Sequence, residues 1–211
     1  MPESVTPVTP ITAFSQRDPR WAGERLGAGP LSLGQAGCLV TAMASVLADV
    51  AGVSTGPGRL NGWLRGNGGF ASGDLFVFRA VEGLGLQMVG WTACPDAPAP
   101  VEAIADGLAA GFGVVAKVDF WPGERIQQHW VRVLAASQSM EPERWQIMDP
   151  WQAPGHEVQS LSKYAAPGWN AARALFAVAI YAPMPGRRFE VRGLADTELA
   201  QDELCWRTGV R

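Results

Sequence analysis

Only two histidines, His129 and His156, and two lysines, Lys117 and Lys163, occur in the chain, and cysteine stands at positions 38, 94 and 205 alone. Each scarcity excludes something. Three widely separated cysteines neither build a disulfide framework nor offer the paired ligand spacing of a zinc site. The net charge is −3 and the positive charge is mostly scattered arginine, so no basic stripe exists to hold nucleic acid or an anionic membrane. The first residues, MPESVTPVTP, lack a basic segment followed by an apolar stretch, and no run approaches the ~18 uninterrupted apolar residues of a membrane span. These features make the cytoplasm the default location. Virions, holins and secretion machines deliver proteins without such signals, so localisation stays open between a cytoplasmic, a virion-associated and a lysis-released protein.

What the chain has is apolar mass. Hydrophobic residues make up 47% and charged residues 18% of 211, well inside the range of a chain that folds on its own core. That length suits one domain with an appendage. The domain is placed at residues 1–182 and a linker with a C-terminal arm at 183–211, the boundary falling at PMPGRR.

The pattern along the chain predicts helices first and sheet second. Leu39, Val40, Met43, Val46, Leu47 and Val50 form a stripe at helical period, and Gly52 stands where such a helix would end. Helices are also predicted in GPGRLNGWLRGNG, weakened by its glycines, in a short piece begun by Asp74, and in PAPVEAIADGLAAG; LQMVGW reads as a strand. From FGVVAKVDF onward, through HWVRVLAAS, RWQIMD and ARALFAVAIYA, the period is that of strands, the alanines of the last leaving a helix possible there. DTELAQDELCWR, with Asp196 as its cap, is predicted to be a terminal helix. This order implies an α+β fold with a mainly antiparallel sheet.

The chemistry collects at three positions. Cys38 falls in the first turn of the predicted helix, where the macrodipole and the unpaired backbone N–H groups favour a thiolate. Taken alone, such a cysteine is more often a small buried hydrophobe. His129 begins one predicted strand and Asp149 ends the next, with SQSMEPE as the turn between them. A turn centred on Ser139 sets positions 129 and 149 directly opposite; one centred two residues later shifts the match and requires a bulge or a diagonal contact. In both registers a carboxylate comes within reach of the imidazole and can fix its tautomer. An oxyanion would take one donor from the Cys38 backbone N–H and a second from the amide of Gln16 or of Gln35. His156 reads as a loop residue. Trp121, Trp130 and Trp151 neighbour these positions and are candidate walls of a peptide or glycopeptide cleft, although tryptophan is more often core or partly buried packing.

Five fragments, FSQRDPRW, LGQAGCLVTAMASVL, HWVRV, IMDPW and LSKYAAPGW, spanning residues 14 to 169 in this order, resemble papain-like cysteine peptidases of the bacteriocin-leader (double-glycine) processing type, in particular their stand-alone phage and bacterial relatives. The resemblance implies a papain-like fold with Cys38 as nucleophile, His129 as general base and acid, Asp149 as orienter and Gln16 as oxyanion donor, working without metal or organic cofactor. Two features depart from that pattern: 21 residues separate Gln16 from Cys38, and Leu39 stands where relatives often carry glycine.

The function expected is a thiol hydrolase cleaving a peptide or isopeptide bond through an acyl-enzyme. Its substrate is either a peptidoglycan crosslink, as for a phage endopeptidase, or a peptide to be processed. The alternative is a papain-like module without catalysis, binding peptide or cell wall or serving as a structural part of a virion. Residues 183–211 lie outside the resemblance and are expected either to dock on their own domain or to attach it to an assembly partner, the second being slightly favoured.

Overall fold

The computed structural model describes residues 11–120, 127–134, 141–184 and 205–207. In chain order the elements are α1 (Leu33–Ala36), α2 (Cys38–Val50), α3 (Pro57–Gly66), β1 (Phe70–Ala71), β2 (Leu75–Val77), β3 (Leu86–Ala93), α4 (Val101–Ala109), β4 (Gly113–Asp119), β5 (Gln128–Leu134), β6 (Gln146–Met148), β7 (Val158–Ser160), β8 (Leu175–Pro183) and β9 (Cys205–Arg207). Short 3-10 turns at Phe78–Leu84, Pro142–Arg144, Leu161–Tyr164 and Ala171–Ala174 join them. The fold is α+β with a mainly antiparallel sheet. Six strands run in the order β3-β8-β4-β5-β6-β7, and β1-β2-β9 form a smaller sheet. No helix among the described residues is long and apolar enough to cross a membrane.

The stripe that predicts α2 understates how deeply the helix is buried. Every residue from Cys38 to Leu47 is buried, Thr41 and Ser45 included, because α2 is enclosed by β4, β5 and α3. A helix apolar on most of its circumference belongs in a core. Its approach to the sheet is close: a Cβ on Gly113, which opens β4, would run into the Val46 side chain. Behind the sheet a second core gathers Val114, Val131, Ile147, Leu161, Tyr164 and Val178, with Ile104 of α4. The sheet therefore carries apolar packing on both faces, and its central strands β4, β5 and β8 are buried almost throughout.

A polar clamp ties three segments together. Arg132 on β5 donates through Nη1 to the Ser45 carbonyl (3.0 Å), to Ser45 Oγ (2.7 Å) and to the Asp49 carboxylate on α2. Ser45 Oγ in turn donates to the Thr12 carbonyl, and Asp49 accepts from the Thr12 amide at 3.1 and 3.2 Å. The segment leading to Gln16, the helix that begins at Cys38 and the strand that carries His129 are thus fixed to one another.

Two predicted helices are corrected. The piece begun by Asp74 is β2 followed by the 3-10 turn Phe78–Leu84; Phe76 and Phe78 pack edge-on at 5.6 Å, and this aromatic packing outweighs a weak local preference for helix. At the C-terminal end the predicted helix does not extend over Cys205–Arg207, which pair antiparallel with β2, Phe76 opposite Trp206. The rest of DTELAQDELCWR lies outside the described residues.

Candidate active site

The local backbone first places the thiol. Ser32 and Gln35 cap the short helix α1 reciprocally, Gln35 Oε1 accepting from the Ser32 amide at 3.0 Å. Gln35 thus belongs to the cap of this turn, its side-chain oxygen engaged by the Ser32 amide. Gly37 then forms the junction between α1 and α2, where a Cβ would meet the Leu33 carbonyl oxygen at 2.6 Å. Only glycine fits, and Cys38 follows as the first residue of α2, at the end where helix N–H groups have no partner within the helix.

Opposite it lies the hairpin. Arg132 pairs with Met148 and Leu134 with Gln146, so the register is centred on position 140 and Asp149 lies diagonal to His129. The contact is direct: His129 Nε2 is 2.8 Å from Asp149 Oδ1, both residues fully buried. The ring therefore turns Nδ1 away from Asp149, and Nδ1 makes no conventional hydrogen bond among the described residues. Burial alone would push the imidazole down. The hydrogen bond to Asp149 and the influence of the Cys38 sulfur outweigh burial and raise His129 to about 9. The thiol is thereby coupled to the ring that Asp149 orients.

Asp149 is the most heavily bonded side chain of the site. Besides His129, its Oδ1 accepts from the Trp151 amide at 3.0 Å, while Oδ2 accepts from Gln152 Nε2 at 2.8 Å, Lys163 Nζ at 2.8 Å and Tyr164 OH at 2.7 Å. Burial would raise its carboxyl, but His129, Lys163 and Tyr164 hold it well below the usual carboxylate range. Tyr164, buried beside that carboxylate, is pushed well above an ordinary phenol and stays a donor. The sequence alone gives no role to Gln152; for Lys163 and Tyr164 its signal is the fragment LSKYAAPGW, which holds one of the chain's two lysines beside one of its two tyrosines.

Gln16 bridges the two halves of the site. Its backbone N–H donates to the Pro150 carbonyl at 2.8 Å, and its side-chain Nε2 donates to the Gly34 carbonyl of α1 at 3.0 Å. The side chain is buried, and Oε1 has no hydrogen-bond partner among the described residues. One amide hydrogen of Nε2 is used by Gly34, and the other is left over.

The tryptophans separate. Trp151 is half-buried beside the site, its ring meeting Phe120 edge-on at 5.2 Å and the Arg17 guanidinium at 5.3 Å. Phe120 also stands edge-on to the His129 ring at 5.2 Å. Trp130 is corrected from cleft wall to core. It is fully buried, packed on Phe78 at 5.4 Å and on Trp91 at 6.3 Å, because it shares the face of β5 on which Arg132 reaches α2. Trp121 lies outside the described residues. His156 is exposed in a turn where its amide bonds to the Ala153 carbonyl.

A cavity of about 550 Å³ lies elsewhere, lined among others by Phe14, Trp21, Ala48, Ser54 and Arg59. Ala48 is ten residues along α2 from Cys38, ~15 Å at the helical rise. No protein-family model, curated protein or solved structure matches the chain.

Proposed function

We propose that this protein is a papain-like cysteine peptidase that hydrolyses a peptide or isopeptide bond through an acyl-enzyme. The observation that carries the reading is the buried His129–Asp149 contact at 2.8 Å, with the Cys38 sulfur acting on the same imidazole. Those are the three groups a nucleophile, a base and an orienter require.

In the proposed reaction Cys38 gives its proton to Nδ1 of His129, and the thiolate adds to the carbonyl carbon. The Cys38 backbone N–H and the remaining amide hydrogen of Gln16 receive the oxyanion. As the tetrahedral intermediate collapses, the C–N bond breaks and the imidazolium delivers its proton to the departing amine. Water, deprotonated by His129, then attacks the thioester; the C–S bond breaks, the carboxylic acid leaves and Cys38 recovers its proton. Asp149 keeps Nε2 protonated throughout, so that Nδ1 is the nitrogen that exchanges protons. The same chemistry serves a phage-type peptidoglycan endopeptidase and a peptide-processing protease.

One observation favours a second reading, a non-catalytic papain-like binding or virion module: Cys38, His129 and Asp149 are each at most 1% exposed. Reaction with iodoacetamide at pH 6 separates the two. The peptidase reading expects rapid alkylation of Cys38, with Cys94 slow and turnover lost in proportion. A Cys38 that resists alkylation in the native protein favours the binding module.

A further inference from the structure

Orienting an imidazole needs one carboxylate oxygen. On Asp149 that oxygen is Oδ1, and the more heavily bonded oxygen is the other one, with Gln152, Lys163 and Tyr164 all donating to Oδ2 within 2.8 Å. A carboxylate offers about four lone-pair sites, and five donors occupy this one. The arrangement exceeds what orientation demands. We infer that Lys163 and Tyr164 are positioning residues that act on His129 through Asp149: by drawing charge toward Oδ2 they limit how tightly Oδ1 holds the imidazolium, and so set the pH window of the site.

The charges explain the need. In the ion-pair state the buried cluster holds a Cys38 thiolate, a His129 imidazolium and the Asp149 carboxylate, a net charge of −1 in a medium where uncompensated charge is costly. Lys163, 2.8 Å from Oδ2 and with its side chain about one-third exposed, brings the sum to zero while its ammonium keeps access to water. Tyr164 adds a hydrogen bond without charge. Among the described residues no other ionised side chain bonds Asp149: on the loop after β6, Glu157 turns its carboxylate to the Gly155 amide, and the Arg17 guanidinium lies over the Trp151 ring. Without the Lys163 cation, Asp149 would stabilise the imidazolium more strongly and His129 would hold its proton to higher pH.

This inference rests on the peptidase reading for its catalytic consequence, but its first readout does not need turnover. With two histidines in the chain, the His129 ring is followed by NMR titration of the full-length protein, His156 serving as internal reference. Lys163→Met is expected to raise the His129 midpoint by about one pH unit, the scale of one nearby charge, and Tyr164→Phe to raise it by less. Lys163→Arg, which keeps the cation, should return it close to the wild-type value. In an active preparation the alkaline limb of kcat/KM moves by the same amount. An unchanged midpoint in Lys163→Met overturns the inference, even where activity falls, because the residue would then be structural only. Should Tyr164→Phe fail to fold, the Met and Arg variants of Lys163, whose side chain is about one-third exposed, decide the matter. A shifted midpoint in a protein that hydrolyses no peptide upholds the coupling and removes the peptidase reading instead.

Discussion

His129 Nε2 and Asp149 Oδ1 meet at 2.8 Å with neither side chain open to water. Two consequences for stability follow, of opposite sign. His129 is raised from its ordinary 6.5 to about 9, so the stability it contributes is fully present below pH 6.5 and is lost as pH rises toward 9. Asp149 is lowered from 3.8, so its contribution is present above that value and fades as pH falls further. Urea unfolding across pH should therefore show a plateau between about pH 4 and 6.5, with a decline on the alkaline side. In His129→Asn the alkaline decline should flatten. A wild-type curve that stays level from pH 6.5 to 9 would mean the imidazolium is not stabilised by the fold.

How the sequence came to reveal this pair, and how it missed others, has a physical pattern. Cys38 is legible because a helix announces itself by local periodicity, and the residue before the stripe must then lie in its first turn. His129 and Asp149 are legible because a hairpin is also local; the register centred on position 140 falls between the two centres that turn chemistry suggested, and a diagonal contact absorbs the difference. Lys163 and Tyr164 are not legible, since they reach Asp149 only because β7 and the 3-10 turn that holds them bring the chain back. Trp130 shows the limit from the other side. Adjacency to His129 in sequence suggested a cleft, yet neighbouring residues on a strand point to opposite faces. The pairing of β9 with β2 joins residues about 130 apart, which no local pattern encodes.

The clamp formed by Arg132, Ser45 and Asp49 predicts a defect that is structural before it is chemical. Arg132→Met removes the cation and leaves the Asp49 carboxylate with only the Thr12 amide among these contacts. Breaking a largely buried pair in this way should cost about 3 kcal/mol. Chemical denaturation would measure that loss. Hydrolysis should fall as well, through loosened placement of Cys38 against His129. A variant as stable as the parent would show that the clamp contributes nothing net.

Gln16→Ala separates a structural from a catalytic role at one position. Losing the bond to the Gly34 carbonyl should lower stability by about 1 kcal/mol, while removing an oxyanion donor should lower kcat by roughly 10²–10³ with little change in KM. Steady-state kinetics on a peptide substrate reads the split. A loss confined to stability would remove Gln16 from the proposed oxyanion hole.

The nucleophile is the centre of the account, and mass spectrometry of reaction products tests it most directly. Wild-type protein and Cys38→Ala are incubated with a peptide library and with purified peptidoglycan, and the reactions are quenched in acid. New cleavage products are expected from the wild type, with an acid-stable thioester mapped to Cys38, and neither from Cys38→Ala, which should stay folded because alanine suits the first turn of α2. Products released by Cys38→Ala at the wild-type rate would contradict the assignment of Cys38 as nucleophile.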